Sequence, residues 1–176
     1  MRPLFILAIL AFPIFADDAK FFPASAKLEK LWGEGVFTEG PCVGPDGCIY
    51  FSDIGNRIMK YDPTANKTTV FREPSGRANG MKFDKAGRLL ACEGASNGGN
   101  RRVSITTKDG AVKTLADTFM GKKFNSPNDI VVRSDGSIYW TDSAGGLVNL
   151  GMVGEDIQRQ SDVQGVYRLT PDGRRV

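Results

Sequence analysis

Three short polar loops carry oxygen donors at one recurring spacing. Thr38-Glu39-Gly40-Pro41, Ala78-Asn79-Gly80 and Asn125-Ser126-Pro127-Asn128-Asp129 each stand just before a short apolar run. In register, Glu39, Asn79 and Asn128 share one position. A carboxylate and amide carbonyls are hard donors, the kind that hold Ca²⁺ or another hard divalent cation. Turns use the same residue types: Asn caps a turn through its side chain, and Glu39 would then be a surface acid. Spacing alone leaves both readings open. A second set, Asp53, Glu93 and Asp142, ends the apolar strands that follow. Such acids suit loops whose backbone N–H groups need an acceptor. Arg57, Arg102 and Arg168 lie on the next strands as candidate partners. The chain contains no histidine. A Ser-His-Asp triad, a Cys-His pair and a histidine zinc site are therefore excluded within it.

The elements that must position these donors repeat as well. Each loop leads into an apolar strand, a tight turn (Pro45-Asp46-Gly47, Lys85-Ala86-Gly87, Asp135-Gly136) and a strand rich in β-branched and aromatic residues. Glycine after aspartate suits a turn that needs positive φ. A basic-aromatic third strand follows in each unit: Asn56–Tyr61, Arg101–Ile105 and Gly165–Leu169. Fourth strands fit Thr68–Phe71 and Ala111–Leu115. A unit of four short strands repeating about every 40–50 residues is the pattern of a β-propeller blade. The expected fold is all-β, with about three blades at 36–74, 75–121 and 122–176. Equivalent loops of blades converge on the central channel, so Glu39, Asn79 and Asn128 are expected at one mouth. Tyr50, Phe51, Tyr139 and Trp140 read as packing residues between blades.

The remaining segments set the context. Residues 1–16 read as a signal peptide: Arg2, an apolar run from Leu4 to Phe15, and Ala16 before Asp17-Asp18. That implies an exported protein, periplasmic or secreted, with no membrane span afterwards. Residues 17–35 read as a leader, in which Leu28–Trp32 is expected as a strand that could complete a closing blade. A glycine-rich loop at 94–99 and an insertion at 143–164 sit on a rim; the insertion reads equally as a lid or a surface loop. The three cysteines are Cys42, Cys48 and Cys92. They read as buried thiols, with a Cys42–Cys48 bridge across the first turn as the alternative. Net charge is +3 with short, scattered basic clusters, which argues against nucleic acid as a partner. Propellers close with roughly four to eight blades. Three units are therefore expected to be the N-terminal portion of a longer protein, with a missing C-terminal half as a partner.

The runs Glu39-Gly40-Pro41, Tyr50-Phe51-Ser52-Asp53, Asn56-Arg57-Ile58, Ala78-Asn79-Gly80, Asn100-Arg101-Arg102-Val103 and Asn125-Ser126-Pro127-Asn128-Asp129 resemble those of the gluconolactonases. That family includes senescence marker protein and luciferin-regenerating enzyme. The resemblance covers roughly residues 30–176 and implies a six-bladed propeller with a divalent ion in its channel: Ca²⁺, or Zn²⁺, Mg²⁺ or Mn²⁺. It implies Glu39 as the first metal ligand and Asn128 as a channel residue near metal and substrate, with Asp129 its neighbour. Asn79 holds the repeat-equivalent place. The family's later ligands and its general base, an aspartate, would fall past Val176, so no catalytic base is assigned here. The implied activity is hydrolysis of a sugar lactone, low in this chain alone. The alternatives are a non-catalytic propeller that binds a ligand or protein at its rim, and a propeller hydrolase for aryl or acyl-homoserine lactones.

Overall fold

Strands of period-two hydrophobicity, bounded by turns that need positive φ, should pair as successive hairpins. The computed structural model describes residues 22–96, 98–147, 158–174 and 176. The chain divides into two units, residues 1–30 and 31–176. In the first, Ala26 N donates to Pro23 O at 2.8 Å, closing a turn. In the second, β1 (Thr38–Val43), β2 (Ile49–Asp53), β3 (Arg57–Asp62) and β4 (Lys67–Arg72) form an antiparallel meander in that order. A second meander joins β5 (Ala78–Phe83), β6 (Leu89–Glu93), β7 (Arg102–Thr106) and β8 (Val112–Ala116). β9 (Thr118–Phe119) and β10 (Lys122–Lys123) make a separate small hairpin. β11 (Ser126–Val132), β12 (Ile138–Ser143) and β13 (Gly165–Leu169) form the third sheet. The first strands of the sheets lie side by side, with β5 packed between β1 and β11. The chain is all-β, and these meanders are propeller blades.

One turn geometry is used three times between the first two strands. Gly44 N donates to Cys48 O, Asp84 N to Arg88 O and Arg133 N to Ser137 O, at 2.8, 3.0 and 2.8 Å. Gly47, Gly87 and Gly136 close these turns at φ of 77°, 74° and 89°, where any residue with a Cβ is disfavoured. An aspartate cradles each loop; Asp135 Oδ1, for instance, accepts from Ser137 N at 2.8 Å.

The core lies between sheets, and the middle sheet is buried on both faces. Leu89 and Ala91, with Met81 beside them, face the first sheet, where they meet Cys42, Tyr50 and Ile58. Leu90 and Cys92, one residue out of phase, face the third, with Phe124, Ile130, Trp140 and Tyr167. All five residues of β6 are buried. Tyr50 of the first sheet meets Phe83 of the second edge-on at 4.9 Å, and within the third sheet Trp140 stacks on its cross-strand partner Tyr167 at 5.8 Å. Each such pair adds about 0.5–1.5 kcal/mol beyond area burial.

The cysteines are buried free thiols, as read from the sequence, with Cys42 and Cys48 part of the first interface and not joined across the turn. Two expectations need correction. Residues 28–32 form no strand. Their apolar residues do not alternate onto one face, and Leu28 stands fully in solvent. Arg168 does not meet Asp142. It donates to Ser137 Oγ at 3.1 Å and lies over the Tyr139 ring, because Gly165 is the residue opposite Asp142. Of the 143–164 insertion, residues 145–147 form a 3₁₀ turn that buries Leu147. The proposed signal peptide lies outside the described residues. No described helix is long and apolar enough to cross a membrane.

Candidate functional site

The three polar loops coincide with three β-bulges at one level of the fold. In β1 the pairing steps from Glu39↔Ser52 to Cys42↔Tyr50, so one residue is extra. In β5 it steps from Ala78↔Glu93 to Met81↔Ala91, and in β11 from Pro127↔Asp142 to Ile130↔Trp140. Thr38, Ala78 and Pro127 face Asp53, Glu93 and Asp142 respectively. Glu39, Asn79 and Asn128 each follow that anchor by one residue, so the register makes them structurally equivalent. A bulge bends its strand and re-aims the side chains around it, and bulges concentrate next to active sites.

These bulges lie against one another. A Cβ on Gly40 would collide with the Asn79 carbonyl and the Gly80 backbone. A Cβ on Gly80 would collide with Asp129 and the Asn128 carbonyl. The two glycines therefore let three adjacent main chains approach closely, and Gly40 also takes a left-handed φ of 55°. Glu39, Asn79 and Asn128 are half-buried on neighbouring strands at the same end of their sheets, and Asp129 is exposed beside them. The Asp129 N–H donates to Thr141 Oγ1 at 3.0 Å, and its Oδ1 accepts from Ile130 N at 2.8 Å.

Commitment separates the two sets of polar residues. The side chains of Glu39, Asn79 and Asn128 have no hydrogen-bond or ion-pair partner among the described residues. Asp53, Glu93 and Asp142, by contrast, are buried and bonded. Asp53 Oδ1 accepts from Val36 N at 2.9 Å and Phe37 N at 3.2 Å, and Oδ2 meets Arg57 at 2.6 Å. Glu93 accepts from Arg72 at 2.9 Å, Arg102 at 2.7 Å, Asn100 at 2.6 Å and Ser104 at 2.5 Å. Asp142 accepts from Asn125 N at 2.8 Å.

Their electrostatics follow. Burial works against the ionised form of all three. In Asp53 the Arg57 guanidinium and the backbone N–H groups outweigh it, so the carboxyl sits below its ordinary range. In Glu93 the same result comes from Arg102, Ser104, Asn100 and Arg72. In Asp142 burial wins: backbone N–H groups and the more distant Arg101 oppose it too weakly, and the carboxyl is pushed up. These acids are strand-end anchors that tie the approach to each inner strand. The uncommitted donors are the ones available to a ligand.

Three contributors escape a reading of the sequence. Arg72, on the last strand of the first sheet, reaches across to Glu93 and to Thr106 Oγ1 at 2.9 Å. Arg101 donates from Nε to Phe124 O at 2.8 Å and from Nη1 to Gln158 O at 2.7 Å. Asn125, fully buried, donates from Nδ2 to Val163 O at 2.9 Å. The one local signal was the pair Asn125 and Asn128 flanking Ser-Pro, which marks a heavily bonded turn. The donor set at the bulges, one carboxylate and two carboxamides, suits a hard divalent ion in kind. In number it is lean, since no group of three or more His, Cys, Asp or Glu side chains gathers among the described residues.

Comparison with known proteins gives a consistent picture. A family model described as SMP-30/Gluconolactonase/LRE-like region matches residues 37–176. A gluconolactonase of Zymomonas mobilis subsp. mobilis is 32% identical over 165 residues, covering 85% of this chain and 44% of that protein. A solved structure of a Xanthomonas campestris gluconolactonase is 30% identical with a TM-score of 0.73, covering 82% of this chain and 48% of that one. An X-ray structure described provisionally as a gluconolactonase is 33% identical with a TM-score of 0.74, covering 86% and 51%. The chain thus spans about half the length of these relatives.

Proposed function

The chain belongs to the SMP-30/Gluconolactonase/LRE-like family, and from that premise we propose that it supplies the Glu39, Asn79 and Asn128 part of the mouth of a divalent-metal-dependent sugar lactonase. The observation that carries this reading is the contrast in commitment. Asp53, Glu93 and Asp142, at the same level, are each bonded to the fold, whereas the side chains of these three, on adjacent strands, have no partner among the described residues. Half-buried polar groups left without partners cost free energy unless a ligand or solvent satisfies them.

Glu39 and Asn128 would hold the cation, with Ca²⁺ as first choice and Zn²⁺, Mg²⁺ or Mn²⁺ as alternatives. When bound, such an ion supplies Lewis-acid polarisation of an ester carbonyl. The chain's own residues do the rest of the binding. The Asn128 carboxamide can donate to a sugar hydroxyl while its oxygen faces the cation. Asn79 offers the same pair of groups one strand away, and the free Asp129 oxygen can accept from a hydroxyl. The half-buried setting reduces competition from water for these bonds. One carboxylate holds a divalent ion weakly, so the chain alone is expected to bind metal weakly and turn over slowly. The reading includes export directed by residues 1–16.

Two measurements on the purified chain test it. Calorimetric titration with Ca²⁺ and Mn²⁺ should give dissociation constants weaker than micromolar. Hydrolysis of glucono-lactone, followed by pH-stat, should be slow, metal-dependent and lower still in Glu39→Gln. An unchanged metal-dependent rate in Glu39→Gln, or hydrolysis indifferent to metal, overturns the assignment.

A further inference from the structure

In the first two sheets the buried acid meets a guanidinium directly, and in the third, among the described residues, it does not. Arg57 and Arg102 stand opposite Asp53 and Glu93, but the residue opposite Asp142 is Gly165. The cation arrives instead from the loop between β6 and β7 of the neighbouring sheet, and it reaches a different target. Asp142 Oδ2 accepts from Asn125 N at 2.8 Å. Arg101, 8% exposed, donates from Nε to Phe124 O at 2.8 Å and to Asn125 O at 3.1 Å. One residue, Asn125, is thus threaded between a buried acid on its N–H and a buried guanidinium on its C=O. Its neighbour Ser126 accepts from Ala95 N through Oγ at 3.0 Å. Asn128 follows three residues after Asn125, inside the bulge.

We propose that Asp142 and Arg101 are positioning residues for Asn128, acting through the main chain of Asn125. This rests on the reading of Asn128 as a ligand-facing side chain. Charge-assisted hydrogen bonds are roughly twice as strong as neutral ones, and in a dry interior they resist rotation of the peptides they hold. Arg101 keeps a left-handed backbone, φ 54°, a conformation that a non-glycine residue holds only where its surroundings fix it. The other two sheets spend their guanidinium on the acid itself. Only the sheet that carries Asn128 divides the two charges across the backbone leading to it.

The test uses the whole chain, without metal or lactone, and reads two NMR observables: hydrogen exchange at the Asn125 amide and the side-chain carboxamide resonances of Asn128. Asp142→Asn keeps the shape and an acceptor but removes the charge. Arg101→Gln removes the guanidinium. Each is expected to raise Asn125 exchange about tenfold and to shift the Asn128 carboxamide signals. Ile58→Val, a core change in the other interface, should lower stability while leaving those signals in place. Unmoved Asn128 signals in Asp142→Asn and Arg101→Gln overturn the proposal, as does an equal shift in Ile58→Val. Should Arg101→Gln not fold, Arg101→Lys replaces it. Lysine keeps the charge but lacks the planar fork that holds the Phe124 and Asn125 carbonyls from Nε and Gln158 O from Nη1, so the same two signals should move in the same direction. Because no metal or lactone is present, a negative Glu39→Gln assay leaves this result standing, and the reverse.

Discussion

Glu93 gathers more side-chain partners than any other acid among the described residues, and its neutralisation gives a sharp stability prediction. Four side chains converge on its carboxylate, two of them guanidinium groups: Arg72, 10% exposed, and Arg102, 25% exposed. Glu93→Gln preserves volume but leaves both cations facing a neutral amide. Removing one partner of a buried pair costs about 3–5 kcal/mol; the partial exposure of Arg102 places the expected loss near the lower end, about 3 kcal/mol. With a urea slope of about 2 kcal/mol/M, the midpoint should fall by about 1.5 M. Arg72 belongs to the first sheet and Glu93 to the second, so the same change unties two blades. A control is Arg88→Ala, which removes a half-exposed partner of Asp84 and should cost under about 1 kcal/mol. Glu93 is held below its ordinary range, so its contribution is present above the unfolded-state value and lost as pH falls through the folded one. The gap between wild type and Glu93→Gln should therefore close in acid. A Glu93→Gln midpoint within about 0.5 M of wild type at neutral pH, or a gap that persists at low pH, would refute the reasoning.

Asp142 should behave in the opposite sense. Its carboxyl is pushed up by burial, so its contribution is full below the unfolded value and declines as pH rises through the folded one. Relative to Asp142→Asn, which keeps every other titrating group, the urea midpoint of wild type should fall as pH rises across that window; parallel curves would contradict the assignment. The thiols should be silent in the native state, since all three are buried and burial pushes Cys42 up to about 11. A disulfide-exchange reagent at neutral pH should label none of them until denaturant is added, and prompt labelling of Cys42 would contradict its packing between sheets.

Local chemistry made much of this fold readable. Aspartate-glycine turns and period-two strands are short-range signals, and three copies of one plan fixed their phase. The same repetition placed Glu39, Asn79 and Asn128 at one position, because insertions fall after the second strand rather than between loop and bulge. Arg168 was mispaired for that reason: the residue opposite the acid comes four positions after Asp53, nine after Glu93 and twenty-three after Asp142. Only the ladder register identifies it as Gly165. Arg72 and Arg101 act across sheets, and no spacing along the chain encodes such contacts. The β9–β10 hairpin was legible in principle, since Met120 and Gly121 both take positive φ, 49° and 77°, as a two-residue hairpin turn requires. Its strands are two residues long, too short to show a period.

Paramagnetic broadening by Mn²⁺ in an amide-resolved NMR spectrum tests the bulge cluster most directly, because it reports even weak binding residue by residue. The amides of Glu39, Gly40, Asn79, Gly80, Asn128 and Asp129 should broaden first and together, and Glu39→Gln should suppress the effect. Broadening that begins at the opposite turns, around Asp46, Asp84 and Asp135, or survives unchanged in Glu39→Gln, would contradict a cation site at the three bulges.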